Sequence, residues 1–169
     1  MNPTRIFAPI VLFLVIALPA FAQKTEGNKV FYESGELHYE YGLDKGIPNG
    51  ITKEYYREGK VRFEWSYVEG RLQGKTKEYY PDGTVKAEWA YADGDLDGVS
   101  TLYYKSGNKQ YEMTYNGGSK QGPTREYHEN GELKNEWPFV SGKIDGVVKS
   151  YTSTGDEIAT WTYRNGVLL

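Results

Sequence analysis

The sequence predicts an all-β protein in which six tandem 24-residue antiparallel β-hairpin repeats form one long, curled meander sheet. Three observations predict it: glycines recur every 24 residues, apolar and polar residues alternate within each unit, and aromatic residues make up 15% of the chain. Glycine is favoured where the chain turns with positive φ, and alternation with a period of two is typical of half-buried strands. Aromatic side chains favour pleated surfaces.

The glycine spacing defines the units. Three series keep the 24-residue interval without insertion or deletion: Gly50, Gly74, Gly98, Gly122 and Gly146; Gly35, Gly59, Gly83, Gly107, Gly131 and Gly155; Gly46, Gly70, Gly94, Gly118, Gly142 and Gly166. A fixed period of this length is typical of repeat architectures. The chain after residue 22 is therefore predicted to be a single repeat domain, 23–169, whose units are 26–49, 50–73, 74–97, 98–121, 122–145 and 146–169.

Each unit is predicted to contain two strands and two turns. In the third unit, residues 75–80 and 84–92 are the strands, Pro81-Asp82-Gly83 joins them, and residues 93–97 lead to the next unit. Proline presets φ at the first corner of a type I turn, and glycine supplies the left-handed position. This is the three-residue hairpin loop with a glycine bulge.

A three-residue turn also fixes which residues face each other. The charges that it brings together are Glu54 with Arg62, Glu78 with Lys86, and Glu126 with Lys134. In the remaining three units, neither of these two positions carries such a charge. An opposite-charge pair across two strands contributes only about 0.2–1 kcal/mol, so the pairs mark the register and are not the main source of stability.

The alternation assigns residues to the two faces of the sheet. Val85, Ala87, Trp89 and Tyr91 are expected to share one face, and the same face is expected to carry the first-strand aromatic column of Phe31, Tyr55, Tyr79, Tyr103, Tyr127 and Tyr151. The other face is expected to carry the column of Glu40, Glu64, Glu88, Glu112 and Glu136. One face is therefore predicted to be aromatic and the other charged.

The first 22 residues are typical of a cleavable signal peptide. Arg5 supplies one positive charge, residues 6–19 are apolar, and Ala20-Phe21-Ala22 places small residues where cleavage before Gln23 needs them. The apolar stretch is shorter than the roughly 20 residues of a transmembrane helix. An exported protein, periplasmic or extracellular, without a membrane span after cleavage is expected.

Composition excludes several classes of function. The chain has no cysteine, which excludes disulfides, thiolate metal sites, catalytic thiols and a lipid anchored on cysteine. The formal net charge is −3, and loss of Arg5 with the signal leaves 19 Lys and Arg against 23 Asp and Glu, a net charge of −4. An acidic balance disfavours nucleic acid and anionic lipid as partners.

The units share the pattern G-x-x-x-E-Y-Y-x-x-G-x-x-x-x-E-W-x-Y-x-x-G-x-x-x, which resembles the MORN repeat variant of bacterial proteins. The resemblance covers residues 26–169. Many of the bacterial proteins that carry this repeat variant are catalogued as YwqK-type antitoxins. It implies a meander of antiparallel hairpins and association with proteins or lipids rather than catalysis. The antitoxin-like subfamily would further imply a toxin as the partner.

Candidate catalytic and metal-binding groups are few. His38 and His128 lie in different units, and no Ser-His-Asp set has a place to assemble. The segment 93–98 has carboxylates at alternate positions like the start of a calcium loop, but Tyr104 stands where such a loop needs glutamate. The sequence therefore predicts no enzyme, no cofactor and no metal site.

The aromatic columns provide the candidate binding residues: Trp65, Tyr67, Trp89 and Tyr91. They are interpreted either as core or as a binding platform with units about 9–10 Å apart, two strands per unit. A protein-interaction scaffold is the leading hypothesis. The alternatives are an antitoxin-like neutraliser and a cell-envelope glycan-binding module on the aromatic face. An apolar end at Val167-Leu168-Leu169 is expected either to tuck under the sheet or to meet a partner.

Overall fold

A computed structural model describes residues 25–169 of the chain as antiparallel β-structure. The predicted signal peptide and its cleavage site before Gln23 lie outside the described residues. No helix within residues 25–169 is long and apolar enough to cross a membrane. The all-β fold class and the long meander of hairpins are confirmed.

The strands are, in chain order, β1 (Thr25–Glu26), β2 (Lys29–Phe31), β3 (Leu37–Glu40), β4 (Leu43–Asp44), β5 (Ile47–Pro48), β6 (Gly50–Tyr55), β7 (Val61–Val68), β8 (Arg71–Leu72), β9 (Gly74–Tyr79), β10 (Val85–Ala92), β11 (Asp95–Leu96), β12 (Gly98–Tyr103), β13 (Lys109–Asn116), β14 (Ser119–Tyr127), β15 (Leu133–Val140), β16 (Lys143–Ile144), β17 (Gly146–Tyr151), β18 (Glu157–Arg164) and β19 (Val167–Leu168). All belong to one sheet except the pair β4–β5. The twelve strands longer than two residues are the twelve that the repeat predicts.

The predicted three-residue turn is present in the third unit. The Tyr80 amide donates to the Thr84 carbonyl at 2.8 Å, and the Gly83 amide donates to the Tyr80 carbonyl at 2.8 Å. Gly83 has φ 96°, a left-handed conformation that costs an L-residue about 1–2 kcal/mol. The turn therefore requires glycine at this position for its backbone angle.

A one-residue β-bulge follows this turn and was not predicted. Val85 pairs with Tyr79, but the next partner of Glu78 is Ala87, so that Lys86 is the extra residue. One inserted residue reverses the alternation of side chains relative to the partner strand. The same shift occurs in all six units, where the extra residues are His38, Arg62, Lys86, Gln110, Lys134 and Ile158.

The bulge corrects the predicted faces. We define the aromatic face by Ala87, Trp89 and Tyr91, and the charged face by Lys77 and Glu88. The predicted placement of the first-strand aromatic column was wrong, because its residues pair with the second strand before the bulge and lie on the charged face. Val85, which pairs with Tyr79, lies there too, and not with Ala87, Trp89 and Tyr91 as predicted. The glutamates that precede Tyr55, Tyr79 and Tyr127 lie on the aromatic face instead.

The bulge also explains why the predicted charge pairs form. Because the extra residue shares a face with the glutamate that it passes, Lys86 Nζ lies 2.8 Å from Glu78 Oε1. Arg62 reaches Glu54 at 2.9 Å, and Lys134 reaches Glu126 at 2.8 Å. The sequence thus identified the contacts correctly, but as directly opposed residues rather than as bulge contacts.

The connections between units are hairpins of their own. Asp93 and Gly94 have φ 50° and 95°, and Ala92 pairs with Asp95 across them. Two positive φ values in a two-residue loop identify a type I′ turn. The Gly94 amide donates to the Leu72 carbonyl one unit earlier at 2.9 Å, and the same 22-residue link recurs at Gly70, Gly118, Gly142 and Gly166. These links stack each connection on the preceding one.

The core lies on the aromatic face of the central units. Phe63, Leu72, Ala87, Trp89 and Tyr91 form a buried cluster. The residue opposite each central aromatic is small: Thr76 faces Trp89 and is 1% exposed. A small residue on the neighbouring strand leaves room for the indole, which makes close packing possible within a single sheet.

Candidate functional site

The four predicted binding residues form one surface, which we call the aromatic patch: Trp65, Tyr67, Trp89 and Tyr91. Trp65 and Tyr67 lie on β7, while Trp89 and Tyr91 lie on β10, with β9 between them. All four point to the aromatic face. The structure therefore brings together the residues that the sequence grouped, although it does so within a partly closed core.

Burial divides the aromatic patch into two halves. Trp89 is 4% and Tyr91 is 8% exposed, whereas Trp65 and Tyr67 stay partly exposed. The Trp65 ring stacks on Phe63 with centroids 5.0 Å apart and planes 10° apart. Burial raises the pKa of Tyr91 to about 12, so its hydroxyl stays protonated at neutral pH. The aromatic patch therefore consists of a buried half, Trp89 and Tyr91, and a partly exposed half, Trp65 and Tyr67.

An ionisable cluster lies on the same face in the first two units. Glu54 Oε1 is 2.9 Å from Arg62 Nη1 and 3.7 Å from His38 Nε2. Burial raises the pKa of Glu54, which Arg62 partly offsets, and burial lowers the pKa of His38. The equivalent Glu78 has a lysine partner and no histidine. The carboxylate–cation pair recurs without histidine, and in each case it links the two strands of a hairpin.

The charged face carries one row of alternating charges across the sheet. Each member is paired with the next on the neighbouring strand, in the order Lys29, Glu40, Lys53, Glu64, Lys77, Glu88, Thr101, Glu112, Arg125, Glu136 and Lys149. We call this the charge row. Glu26 pairs with Lys29 and extends the row, so that six carboxylates alternate with five cations, and Thr101 once takes the place of a cation. The row is nearly neutral and joins successive units.

Beside the charge row lies a second row that the bulge turns outward. We call it the tyrosine strip; its members are Tyr55, Tyr79, Tyr103, Tyr127 and Tyr151, all half-buried. Tyr79 pairs with Val85, and its hydroxyl donates to Glu64 Oε2 at 2.7 Å. Tyr55 donates to Glu40 Oε2 at 3.0 Å. Desolvation, together with the Glu40 hydrogen bond and charge, raises the pKa of Tyr55 to about 12.

The second tyrosine of each E-Y-Y motif has a structural role that sequence analysis did not identify. The Tyr80 hydroxyl donates to the Tyr103 carbonyl, 23 residues later, at 2.9 Å. Tyr32, Tyr56 and Tyr104 repeat this bond, and His128 Nε2 contacts the Tyr151 carbonyl at 3.0 Å. The sequence did carry a signal for this role: a tyrosine recurs between the first strand of a hairpin and its turn, as Tyr80 does after β9. This hydroxyl ladder ties each hairpin to the next.

The segment considered for calcium forms a turn. Asp93 occupies the first position of the type I′ loop, and its amide donates to Gln73 Oε1 at 3.0 Å. Arg71 Nη1 lies 3.7 Å from Asp93 Oδ1. Within residues 25–169, no group of three or more His, Cys, Asp or Glu side chains is arranged to hold a metal ion.

Comparison with known families identifies the repeat. The family model described as "MORN repeat variant" matches residues 48–69, 72–93, 96–116 and 120–141. These four stretches begin 24 residues apart, in step with the stacked hairpins, and cover 87 of the 169 residues. A search of curated proteins finds no match.

Proposed function

Because the chain belongs to the MORN repeat variant family, we propose that it is an exported, non-catalytic scaffold that binds a protein partner through the aromatic patch. Repeats of this family generally act as binding modules. The signal segment at residues 1–22 supports export. The recurring, paired carboxylates of the aromatic face support a role without catalysis.

The observation that carries this proposal is the unequal burial of the aromatic patch. Trp89 and Tyr91 are fixed in the core, and Trp65 and Tyr67 beside them keep accessible ring surface. Protein interfaces concentrate their binding energy in a few large aromatic residues that are held rigidly before binding. The stack of Trp65 on Phe63 supplies such rigidity, because it restricts the rotation of the indole.

The experiment uses the mature chain as bait in an extract of the cell envelope. The variants Trp65→Thr and Tyr67→Thr remove accessible rings and keep a residue that suits a strand. Val68→Thr is the matched control, since Val68 adjoins Tyr67 on β7 and is 51% exposed on the other face. Circular dichroism and urea unfolding first show that each variant is folded.

We expect one protein to be captured by the wild type and by Val68→Thr, and to be lost with Tyr67→Thr and Trp65→Thr. A toxin recovered as this partner would make the chain antitoxin-like. Capture of the same protein by folded Trp65→Thr and Tyr67→Thr at wild-type yield would contradict the proposal. Recovery of wall material alone would also contradict it and would favour glycan binding.

A further inference from the structure

The tyrosine strip is a second aromatic surface, on the face opposite the aromatic patch. Its five rings are half-buried and lie on the first strand of five successive hairpins. Val61, Val85 and Leu133 face Tyr55, Tyr79 and Tyr127 on the intervening strands. We propose that this strip binds one extended chain of a neutral β-1,4-linked glycan, which runs across the strands and stacks a sugar on each ring.

The spacing of the rings supports a polymer with a disaccharide repeat. Successive tyrosines of the strip are two strands apart, which is about 9.4–9.8 Å. In an extended β-1,4-linked chain, alternate sugars present the same side, and one disaccharide has nearly this length. Each tyrosine can therefore meet every second sugar of the same chain. The axial C–H groups of a pyranose ring then lie on the aromatic ring, whose face is electron-rich.

Two of the five rings, those of Tyr55 and Tyr79, are held by hydroxyl bonds before any ligand arrives. Glu64 accepts the Tyr79 hydroxyl at 2.7 Å, and Glu40 accepts the Tyr55 hydroxyl at 3.0 Å. A ring fixed at both ends loses little conformational entropy on binding. The charge row lies beside the strip, since its members Lys53 and Lys77 are two residues from Tyr55 and Tyr79 on β6 and β9, so that its side chains can exchange hydrogen bonds with sugar hydroxyls.

The charge pattern favours a neutral glycan over other polymers. The charge row alternates six carboxylates, with Glu26 included, and five cations, so that it offers almost no excess of one sign to a polyanion or a polycation. The chain as a whole is acidic, which further disfavours nucleic acid. An extended peptide gains affinity by adding to a sheet edge, and the strip lies on a face where the backbone is already paired.

The test is isothermal titration of the mature chain with oligomers of β-1,4-linked N-acetylglucosamine that contain two, four and six sugars. We expect affinity to rise with each added disaccharide, because each one engages another tyrosine. An equal Kd for the disaccharide and the hexasaccharide would overturn the multi-ring strip. Absence of any heat with the hexasaccharide at millimolar concentration would overturn the proposal as a whole.

Variants assign the binding to the strip. Tyr79→Thr with Tyr103→Thr removes two adjacent rings and should weaken the hexasaccharide by at least about tenfold. Val99→Thr changes a 49% exposed side chain on β12 outside the strip, and it should bind within about twofold of wild type. Wild-type affinity in the folded double variant would overturn the assignment. Protein capture through Trp65 and Tyr67 is measured separately, so either proposal can fail alone.

Discussion

The third and sixth units contain the same tryptophan in the same column, with very different surroundings. Trp89 is 4% exposed, whereas Trp161 is 42% exposed. Both face a small residue across their own hairpin, Thr76 and Val148. The difference lies in the neighbours: β10 has paired strands on both sides, β9 and β12, whereas the long strand beside β18 is β17 alone. Burial in this fold is therefore supplied by adjacent units.

The two units differ in their hydrogen bonds to neighbouring hairpins as well as in the burial of their tryptophan. The Tyr80 hydroxyl reaches the next hairpin, while the corresponding Thr152 bonds within its own turn, to Thr154 and Asp156. Ile158 stands where the third unit has Lys86, and it is 62% exposed. In a stack of repeats, stability is approximately the sum of unit terms and nearest-neighbour terms. The third unit has two sets of neighbour terms, and the sixth has one.

The largest expected effect is the loss of Trp89. Trp89→Ala should lower the free energy of unfolding by about 3–5 kcal/mol, because it leaves a cavity in the buried cluster. Trp161→Ala should cost less than about 1 kcal/mol, since the indole is 42% exposed. Urea unfolding followed by tryptophan fluorescence and circular dichroism measures both. Equal losses for the two variants would show that neighbouring units do not determine how much this tryptophan contributes to the free energy of unfolding.

The sequence predicted the repeat and the hairpin turn because both depend on glycine, whose spacing is visible in the chain. The bulge has no such signal: Arg62, Lys86 and Lys134 satisfy the charge pairing whether they oppose a glutamate directly or pass it as the extra residue. The type I′ turn had a signal in Asp93-Gly94, but the two-strand interpretation of each unit had already assigned that segment to a connection.

The candidate site was predicted in part. Periodicity correctly placed Trp65, Tyr67, Trp89 and Tyr91 on one face, because the second strand is regular after the bulge. It did not predict that Trp89 is buried while Trp65 keeps accessible surface, since that depends on packing across several units. The tyrosine strip was assigned to the wrong face, because a single extra residue per unit reverses the side on which Tyr79 lies.

The next largest effect is expected at the turn glycines. Gly83→Val should cost more than about 1 kcal/mol, because a β-branched residue must adopt the left-handed conformation at φ 96°. No atom lies within 4 Å of the added Cβ, so the cost comes from the backbone alone. Gly155→Val meets a similar φ of 90°, but the hairpin of the sixth unit can open separately.

The measurement for this pair is the midpoint of the main urea transition. Gly83→Val should lower it clearly, and Gly155→Val should lower it less, while amide exchange in β18 becomes faster. A wild-type midpoint for Gly83→Val would refute the assignment of the left-handed turn. Equal shifts for the two variants would mean that the sixth unit unfolds together with the third.

A smaller effect is expected from the hydroxyl ladder. Tyr80→Phe removes the bond to the Tyr103 carbonyl and should cost about 0.5–1.5 kcal/mol. Thr152→Val removes bonds within an exposed turn and should change stability by less than about 0.5 kcal/mol. Urea unfolding of the two variants, at equal protein concentration, gives both values. A neutral Tyr80→Phe would show that the ladder does not couple neighbouring hairpins.

The smallest expected effect is a pH dependence carried by the charge row. Burial raises the pKa of Glu88, but the hydrogen bonds and charges of Lys75 and Lys77, at 2.8 and 3.5 Å, outweigh it, and the pKa lies below the ordinary glutamate value. A depressed folded-state pKa stabilises the fold above the unfolded-state pKa. This contribution is lost as the pH falls through the folded-state value. The sixth unit has Thr160 at this position and contributes no such term.

The variant Glu88→Gln tests this term, because glutamine keeps the shape and does not titrate. The wild type should exceed Glu88→Gln in stability by less than about 1 kcal/mol at neutral pH, as expected for a partly exposed ion pair. The difference should shrink between about pH 5 and pH 3, as the carboxylate takes up its proton. Urea unfolding at several pH values follows it. A difference that stays constant over this range would show that Glu88 acts by packing, and that its pairing with Lys75 and Lys77 does not help to join the third unit to its neighbours.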